Sequence, residues 1–452
     1  MEKRRRAGGE GGNRGMEENT MAILDTSGFN NSKIYDHLND DRLAFLEAVR
    51  TASLLPDNGS APTRKMSEAI FHILKDADSV DLIIESYQLL IELDKRFPRV
   101  YLSKGEQSDS TSPAKAVSQI VMVEEAWLPF NFGLDSNNEK GEARNPSRSS
   151  LDSSGFHALI QEVANMKSSR NNNDVFNPEM LLLQFLKNML LLQYLITVLE
   201  GDFLPRNCVY QENMNWTILR ESLLNMLLVY LNQSSNFNLQ WIQQFHVFFG
   251  YAIPFKGEQH HEIDSAMALA LPEVKKCTCT VLKTFLVMIM ELDSSRRIAD
   301  HQGLTTRADS VRTPVVDIIL DELIYDNDIL CSFLQVFDPK WKLEIVVQYF
   351  LKYITKYSVQ TRRSSGRVNI ENLNGVLKCL SNRTSTRSII KKISTELIQL
   401  LLAYAFQAYV LLSYQHVSKG LSDKMEDDKS NSIVEVCKNM ISAFACLRQE
   451  NP

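Results

Sequence analysis

Met180–Leu199 reads MLLLQFLKNMLLLQYLITVL, and the fold turns on whether this stretch crosses a membrane or fills a core. Its length suits either, because about 20 apolar residues span a bilayer. Four polar residues decide the matter. Gln184 and Asn188 stand one helical turn apart, and Lys187 and Gln193 fall at near-helical spacing, so the helix has a polar side. A helix buried on most of its circumference accounts for that better than a lipid-facing span, where such groups are costly.

Helical periodicity continues outward in both directions. Upstream, Asp40 or Asp41 caps a helix carrying Leu43, Leu46, Val49 and Leu54, which Pro56 stops. Thr63 opens a second helix through Met66, Ile70, Ile73, Leu74 and Ala77, and Ser79 opens a third that ends before Pro98. Downstream, helices are expected at Phe156–Met166, Pro178–Leu199, Trp216–Leu231, Asn238–Tyr251 and Glu273–Leu292. Further ones follow at Val315–Val336, Trp341–Ile354, Ile370–Leu380, Ser388–Val417 and Ser432–Leu447. Ile120–Val123 is the only β-like run. The expected class is therefore all-α. Helices apolar on more than half their circumference, with no fixed period, point to a degenerate armadillo/HEAT-like helical stack, an α-solenoid.

Composition divides the chain. Residues 1–20 read as a disordered basic, Gly-rich tail and 133–153 as a disordered polar linker, since neither has apolar content to offset its ordering entropy. They bracket an N-terminal helical group at 21–132 and a main helical stack at 154–452. Seven cysteines in 452 residues, odd in number and set mostly in apolar helical runs, fit reduced thiols. The basic start runs into glycines rather than an apolar segment, which argues against a secretory signal.

Catalytic signals are thin. The glycines at 8, 9, 11, 12 and 15 lack the strand and helix that a phosphate loop needs. Cys277-Thr-Cys279 has neither the usual spacer nor a second pair for zinc, and reads as two buried thiols on a helix. His260-His261-Glu262 reads as a solvated loop. There is no GxSxG elbow. The expectation is no catalytic residue, no metal, no cofactor and no small-molecule substrate.

Charge is the informative feature. Net charge is -6 overall, yet residues 352–392 hold Lys352, Lys356, Arg362, Arg363, Arg367, Lys378, Arg383, Arg387, Lys391 and Lys392 against Glu371 alone. That asymmetry is how an anion-binding face looks in sequence, and the scarcity of aromatics favours phosphate contact over base stacking. A solvated face that pairs with acidic neighbours is the plainer reading. Arg362-Arg363-Ser364-Ser365 has the form of a basophilic phosphorylation site, where added charge would oppose anion binding. Lys3, Arg4, Arg5 and Arg6 form a candidate nuclear address.

Several long strings carry a resemblance. They are EAVRTASLLPDNG (Glu47–Gly59), EEAWLPFNFG (Glu124–Gly133), PRNCVYQENMNW (Pro205–Trp216), LVMIMELD (Leu286–Asp293), IILDELIYD (Ile318–Asp326) and FLQVFDPKWKLEIVVQYFLKYI (Phe333–Ile354). Together they resemble the plant family of negative regulators of systemic acquired resistance, suppressors of inducible immunity. The resemblance implies an armadillo/HEAT-like nuclear protein without enzymatic activity, restraining defence-gene expression and recombination. It implies likeness to the sixth non-SMC element of the SMC five/six chromosome-maintenance complex, partnered by the fifth, and a part in DNA repair. Residues 233–275 match the pattern poorly. The family continues past the equivalent of Pro452, so Ile433, Val436 and Ile441 are expected to lie partly uncovered. A direct DNA-binding repressor using the 352–392 face is the alternative.

Overall fold

The computed structural model describes residues 18–24, 34–55, 59–103, 119–123, 126–131, 151–165, 178–233, 265–306, 319–321, 323–324, 327–354, 373–417 and 426–450. Two compact units emerge. The first holds residues 1–244 and 255–312, the second 245–254 and 313–452.

Unit 1 contains α1 (Ile34–Ser53), α2 (Arg64–Asp76), α3 (Val80–Arg96), β1 (Val100–Ser103), β2 (Gln119–Met122), α4 (Ser153–Asn165), α5 (Pro178–Asn213), α6 (Trp216–Arg220), α7 (Leu223–Gln233) and α8 (Ser265–His301). The expected caps are in place. Thr63 Oγ1 accepts from Met66 N at 3.4 Å and Ser79 Oγ from Leu82 N at 3.3 Å, each satisfying a donor the first turn leaves over. Helix α3 buries Leu82, Ile83, Leu89, Leu90 and Leu93, and stops where Pro98 cannot continue it.

Helix α5, which carries the opening stretch, is the hub: α2, α3, α4, α6, α7, α8 and both strands pack on it. Its apolar residues from Phe185 to Phe203 are largely buried. On its polar side Asn188 and Gln193 are buried as well, while Lys187 is half-buried and Gln184 exposed. Gln193 donates to Thr278 Oγ1 at 2.9 Å and accepts from Tyr87 Oη at 3.1 Å. Asn188 donates to Glu162 at 2.9 Å, and Lys187 to the Ala77 carbonyl at 3.3 Å. Polar atoms inside a core need such partners, and here the neighbouring helices supply them.

Unit 2 contains α9 (Asn327–Val336), α10 (Pro339–Ile354), α11 (Leu373–Leu380), α12 (Arg383–Ile390), α13 (Thr395–Val417) and α14 (Glu426–Glu450). Helix α10 packs along α13, α11 along α14, and α12 against α10, α11 and α14. The fold class is all-α, with helices stacked pairwise inside each unit.

Several expectations need correction. Residues 18–24 are helical, so the tail ends sooner than 20. Leu151, assigned to the polar linker, is buried and bridges Phe130 in parallel, with Leu151 N donating to Pro129 O at 2.7 Å. The run Ser388–Val417 breaks between α12 and α13 because Ser394 Oγ caps a new start, accepting from Leu397 N at 3.2 Å. Trp216–Leu231 breaks likewise, with Ser222 Oγ accepting from Asn225 N at 3.2 Å. Ile120–Val123 overlaps a real strand, whose antiparallel partner β1 (Val100 opposite Met122) carried no such signal. Cys277 is exposed while Cys279 is buried, because residues two apart on a helix face different ways; burial pushes the Cys279 thiol up to about 11. Of the three residues expected to be uncovered near the end, Ile441 is 71% exposed, Ile433 is half-buried and Val436 is buried. His260, His261 and the expected helix 238–251 lie outside the described residues.

Candidate functional site

The basic segment resolves into two kinds of cation. Helix α12 begins at Asn382, whose Oδ1 accepts from Thr384 N at 3.0 Å and Ser385 N at 3.4 Å. Thr386 and Ile389 bury its inner face, with Thr386 Oγ1 donating to the Leu380 carbonyl at 2.6 Å. Arg383, Arg387 and Lys391 then fall at i, i+4 and i+8 on the outer face. With Thr384 and Ser388 they line a shallow recess of about 300 Å³.

This spacing works against the helix. Like charges four apart repel by about 0.2–0.5 kcal/mol per pair, and a cation in the first turn faces the positive end of the helix dipole. A phosphate placed among the three would reverse both effects. Arg383 also donates to Gln449 Oε1 at 2.8 Å, which steadies one fork of the recess.

Other members of the segment are engaged away from this recess. Lys352 forms an ion pair with Asp321 and lies over the Tyr349 and Tyr353 rings at 5.9 and 5.8 Å. Lys378 pairs with Glu435 at 2.9 Å, and its hydrogen bond, with that of Asn374, holds the Glu435 carboxyl below its usual range. Lys392 lies 5.9 Å over the Tyr353 ring. Lys356, Arg362, Arg363, Ser364 and Arg367 lie outside the described residues, as do Lys3, Arg4, Arg5 and Arg6. The structure thus brings together Arg383, Arg387 and Lys391, and takes Lys352 out of the group.

Sequence reasoning missed a second charged centre, in unit 1. Asp202 and Arg206, four apart on α5, are 2% and 4% exposed. Asp202 Oδ2 accepts from Leu223 N at 2.8 Å and stands 3.2 Å from Arg206 Nε. Arg206 donates to the Ile218 carbonyl at 3.2 Å and to Met122 Sδ at 3.0 Å. The signal available was an opposite-charge pair at helical spacing astride Pro205 in an apolar run. No cluster of three or more metal-ligating side chains occurs among the described residues.

The SNI1 middle domain matches residues 99–235 and 254–339, and the SNI1 C-terminal domain matches residues 354–452. The chain belongs to the SNI1 family. An SNI1-family relative from Arabidopsis thaliana, named negative regulator of systemic acquired resistance SNI1, is 41% identical over 438 residues, covering 96% of this chain and 89% of its own length. The gap between the matched parts of the middle domain falls within 233–275, the stretch that matched poorly, although the match resumes at 254. No solved structure matches the chain. The basic recess lies in the C-terminal SNI1 domain and the Asp202–Arg206 pair in the middle one.

Proposed function

We propose that this chain is a non-enzymatic negative regulator of systemic acquired resistance. The observation that carries the reading is its 41% identity, over 96% of its length, to a relative of that name. More finely, we read it as a nuclear helical scaffold akin to the sixth non-SMC element of the SMC five/six complex. In that role it docks on the fifth element and acts in DNA repair, recombination and defence-gene repression. Surfaces of unit 2 suit such a role. Leu411 and Tyr414, three apart on α13, and Val434 and Ile441, seven apart on α14, are large apolar residues left exposed, each pair on one face of its helix.

Two experiments test this at its two levels. A plant lacking the Arabidopsis relative and expressing this chain regains low basal defence-gene expression; unchanged high expression overturns the regulatory reading. Tagged chain recovered from nuclei carries the fifth non-SMC element and the SMC five/six subunits with it. Their absence, with complementation intact, removes the complex from the account and leaves the regulator.

The convergence of Arg383, Arg387 and Lys391 on one recess favours a second activity, direct contact with the DNA backbone. Duplex binding across a salt series, with each of the three changed to glutamate, reads it. Each lost phosphate contact reduces the salt slope by about 0.9. Affinity and slope unchanged in the triple variant would remove DNA contact from the recess.

A further inference from the structure

A recess of about 280 Å³ opens in unit 1 between the end of α3, residues 98–99 and 127–129, and the middle of α5. Asp94, Arg99, Trp127, Tyr194, Gly201 and Asp202 are among its walls, with Pro98, Leu128 and Pro129 adding an apolar flank. Trp127 and Tyr194 are held from behind by Phe71, at ring separations of 5.3 and 6.1 Å.

Two carboxylates open on this recess. A Cβ on Gly201 would stand 3.7 Å from Asp94 Oδ2, so the missing side chain leaves that carboxylate open to the cavity. Asp202 Oδ1 has no hydrogen-bond partner, although the residue is 98% buried by the 2% that it exposes. A buried acceptor without a donor is costly, so a site that keeps one beside a second carboxylate is shaped for something that supplies donors.

Charge fixes the kind of donor. The groups facing Asp94 are Lys95, Arg99, Tyr194, Glu200 and Asp202. Arg99 works on Asp202 rather than on Asp94, whose carboxyl is raised to about 6 by burial with no cation offsetting it. Glu200 is raised by burial too. Lys95 is solvent-exposed at the rim.

We propose that this recess receives a lysine or arginine side chain from a partner polypeptide, its cationic N–H groups donated to Asp94 and Asp202, and its stem lying along Trp127 and the proline flank. A cation is attracted to an indole face, and charge-assisted hydrogen bonds are roughly twice as strong as neutral ones. The proposal stands on unit 1 alone and does not depend on which partner the regulator has.

The test uses the full chain labelled with 5-fluorotryptophan, its Trp127 fluorine resonance assigned by loss in Trp127→Phe. The probes are acetyl-Gly-Gly-Arg-Gly-Gly-amide, its Lys and Gln counterparts, and methylguanidinium, all at pH 7.5. The Arg or Lys peptide is expected to shift Trp127 with a Kd near ~1 mM, at least about tenfold tighter than the Gln peptide or methylguanidinium. Asp94→Asn, which leaves the neutral form that burial already favours, should fold and weaken binding by about tenfold. Gly201→Ala should weaken it by narrowing the mouth. A Gln peptide bound equally well, no shift at tens of millimolar peptide, or unchanged affinity in Asp94→Asn would each overturn the proposal. Methylguanidinium binding as tightly as the peptides would overturn the polypeptide source.

Discussion

Replacing Asp202 by alanine strips the countercharge from a guanidinium that is itself only 4% exposed. An unpaired buried charge costs about 3–5 kcal/mol. The Leu223 amide loses its acceptor at the same stroke, and that residue is 1% exposed, so about 1–3 kcal/mol more is at stake. Against this, the wild-type Oδ1 is buried without a partner, and its removal returns part of that penalty. The net loss should fall near 4 kcal/mol. Asp202→Asn keeps an acceptor for Leu223 but not the charge, and should lose about half as much. Adding Arg206→Met to Asp202→Ala removes the stranded charge and should recover about 1–3 kcal/mol. Hydrogen exchange across residues 216–228, under conditions where unit 1 stays folded, reads the change locally. Urea unfolding followed by tryptophan emission reads it globally. An Asp202→Ala loss below about 1 kcal/mol, or a double variant no better than the single, would refute the view that this pair ties α5 to the start of α7.

Further expectations follow from single residues. Thr386 is fully buried and its hydroxyl donates to Leu380 O, with Asn382 O also in reach at 3.0 Å; Thr386→Val keeps the shape and should cost about 1–2 kcal/mol in urea unfolding. Asp94 has its carboxyl raised from 3.8 to about 6 by burial, so its stabilising contribution is complete below pH 4 and is lost as pH rises through 6. Asp94→Asn should therefore flatten stability between pH 4 and 6 and raise it at pH 7 by up to about 3 kcal/mol; a wild-type-like pH profile would show that the carboxyl is not desolvated. Leu447 is fully buried and Ile441 is 71% exposed on the same helix. Leu447→Ala should cost about 2–5 kcal/mol and Ile441→Ser less than about 0.5, and comparable losses would mean that α14 is turned otherwise.

The helical class was legible because 3.6-residue periodicity and the caps Thr63 and Ser79 act within one or two turns. The break at Ser394 was equally local, but it was masked by apolar residues on both sides, and serine inside a helical run does not announce a cap. Strand β1 was invisible since Val100–Ser103 acquires its pairing from β2, sixteen or more residues on. For the basic segment, the excess of cations was legible but not their shared face, because Arg383 and Arg387 fell between two expected helices until α12 set them in line with Lys391. The neutralisation of Lys352 and Lys378 depends on Asp321 and Glu435, which only the packing of distant helices brings near. The recess beside Asp94 draws its walls from α3, residues 98–99, residues 127–129 and α5, so no window of sequence contains it.

The buried polar contacts of α5 have a consequence beyond its stability. Leucine-rich helices can slide past one another by a turn with little loss, since one apolar side chain replaces another. The bonds from Gln193 to Tyr87 and Thr278, and from Asn188 to Glu162, act as indexing pins that are satisfied at a single setting. Filling those positions with leucine could leave the melting temperature as it is, or raise it, while multiplying the alignments in which the hub helix sits. The loss would then be one of uniqueness, visible as broadened resonances from α3, α4 and α8 rather than as a lower midpoint.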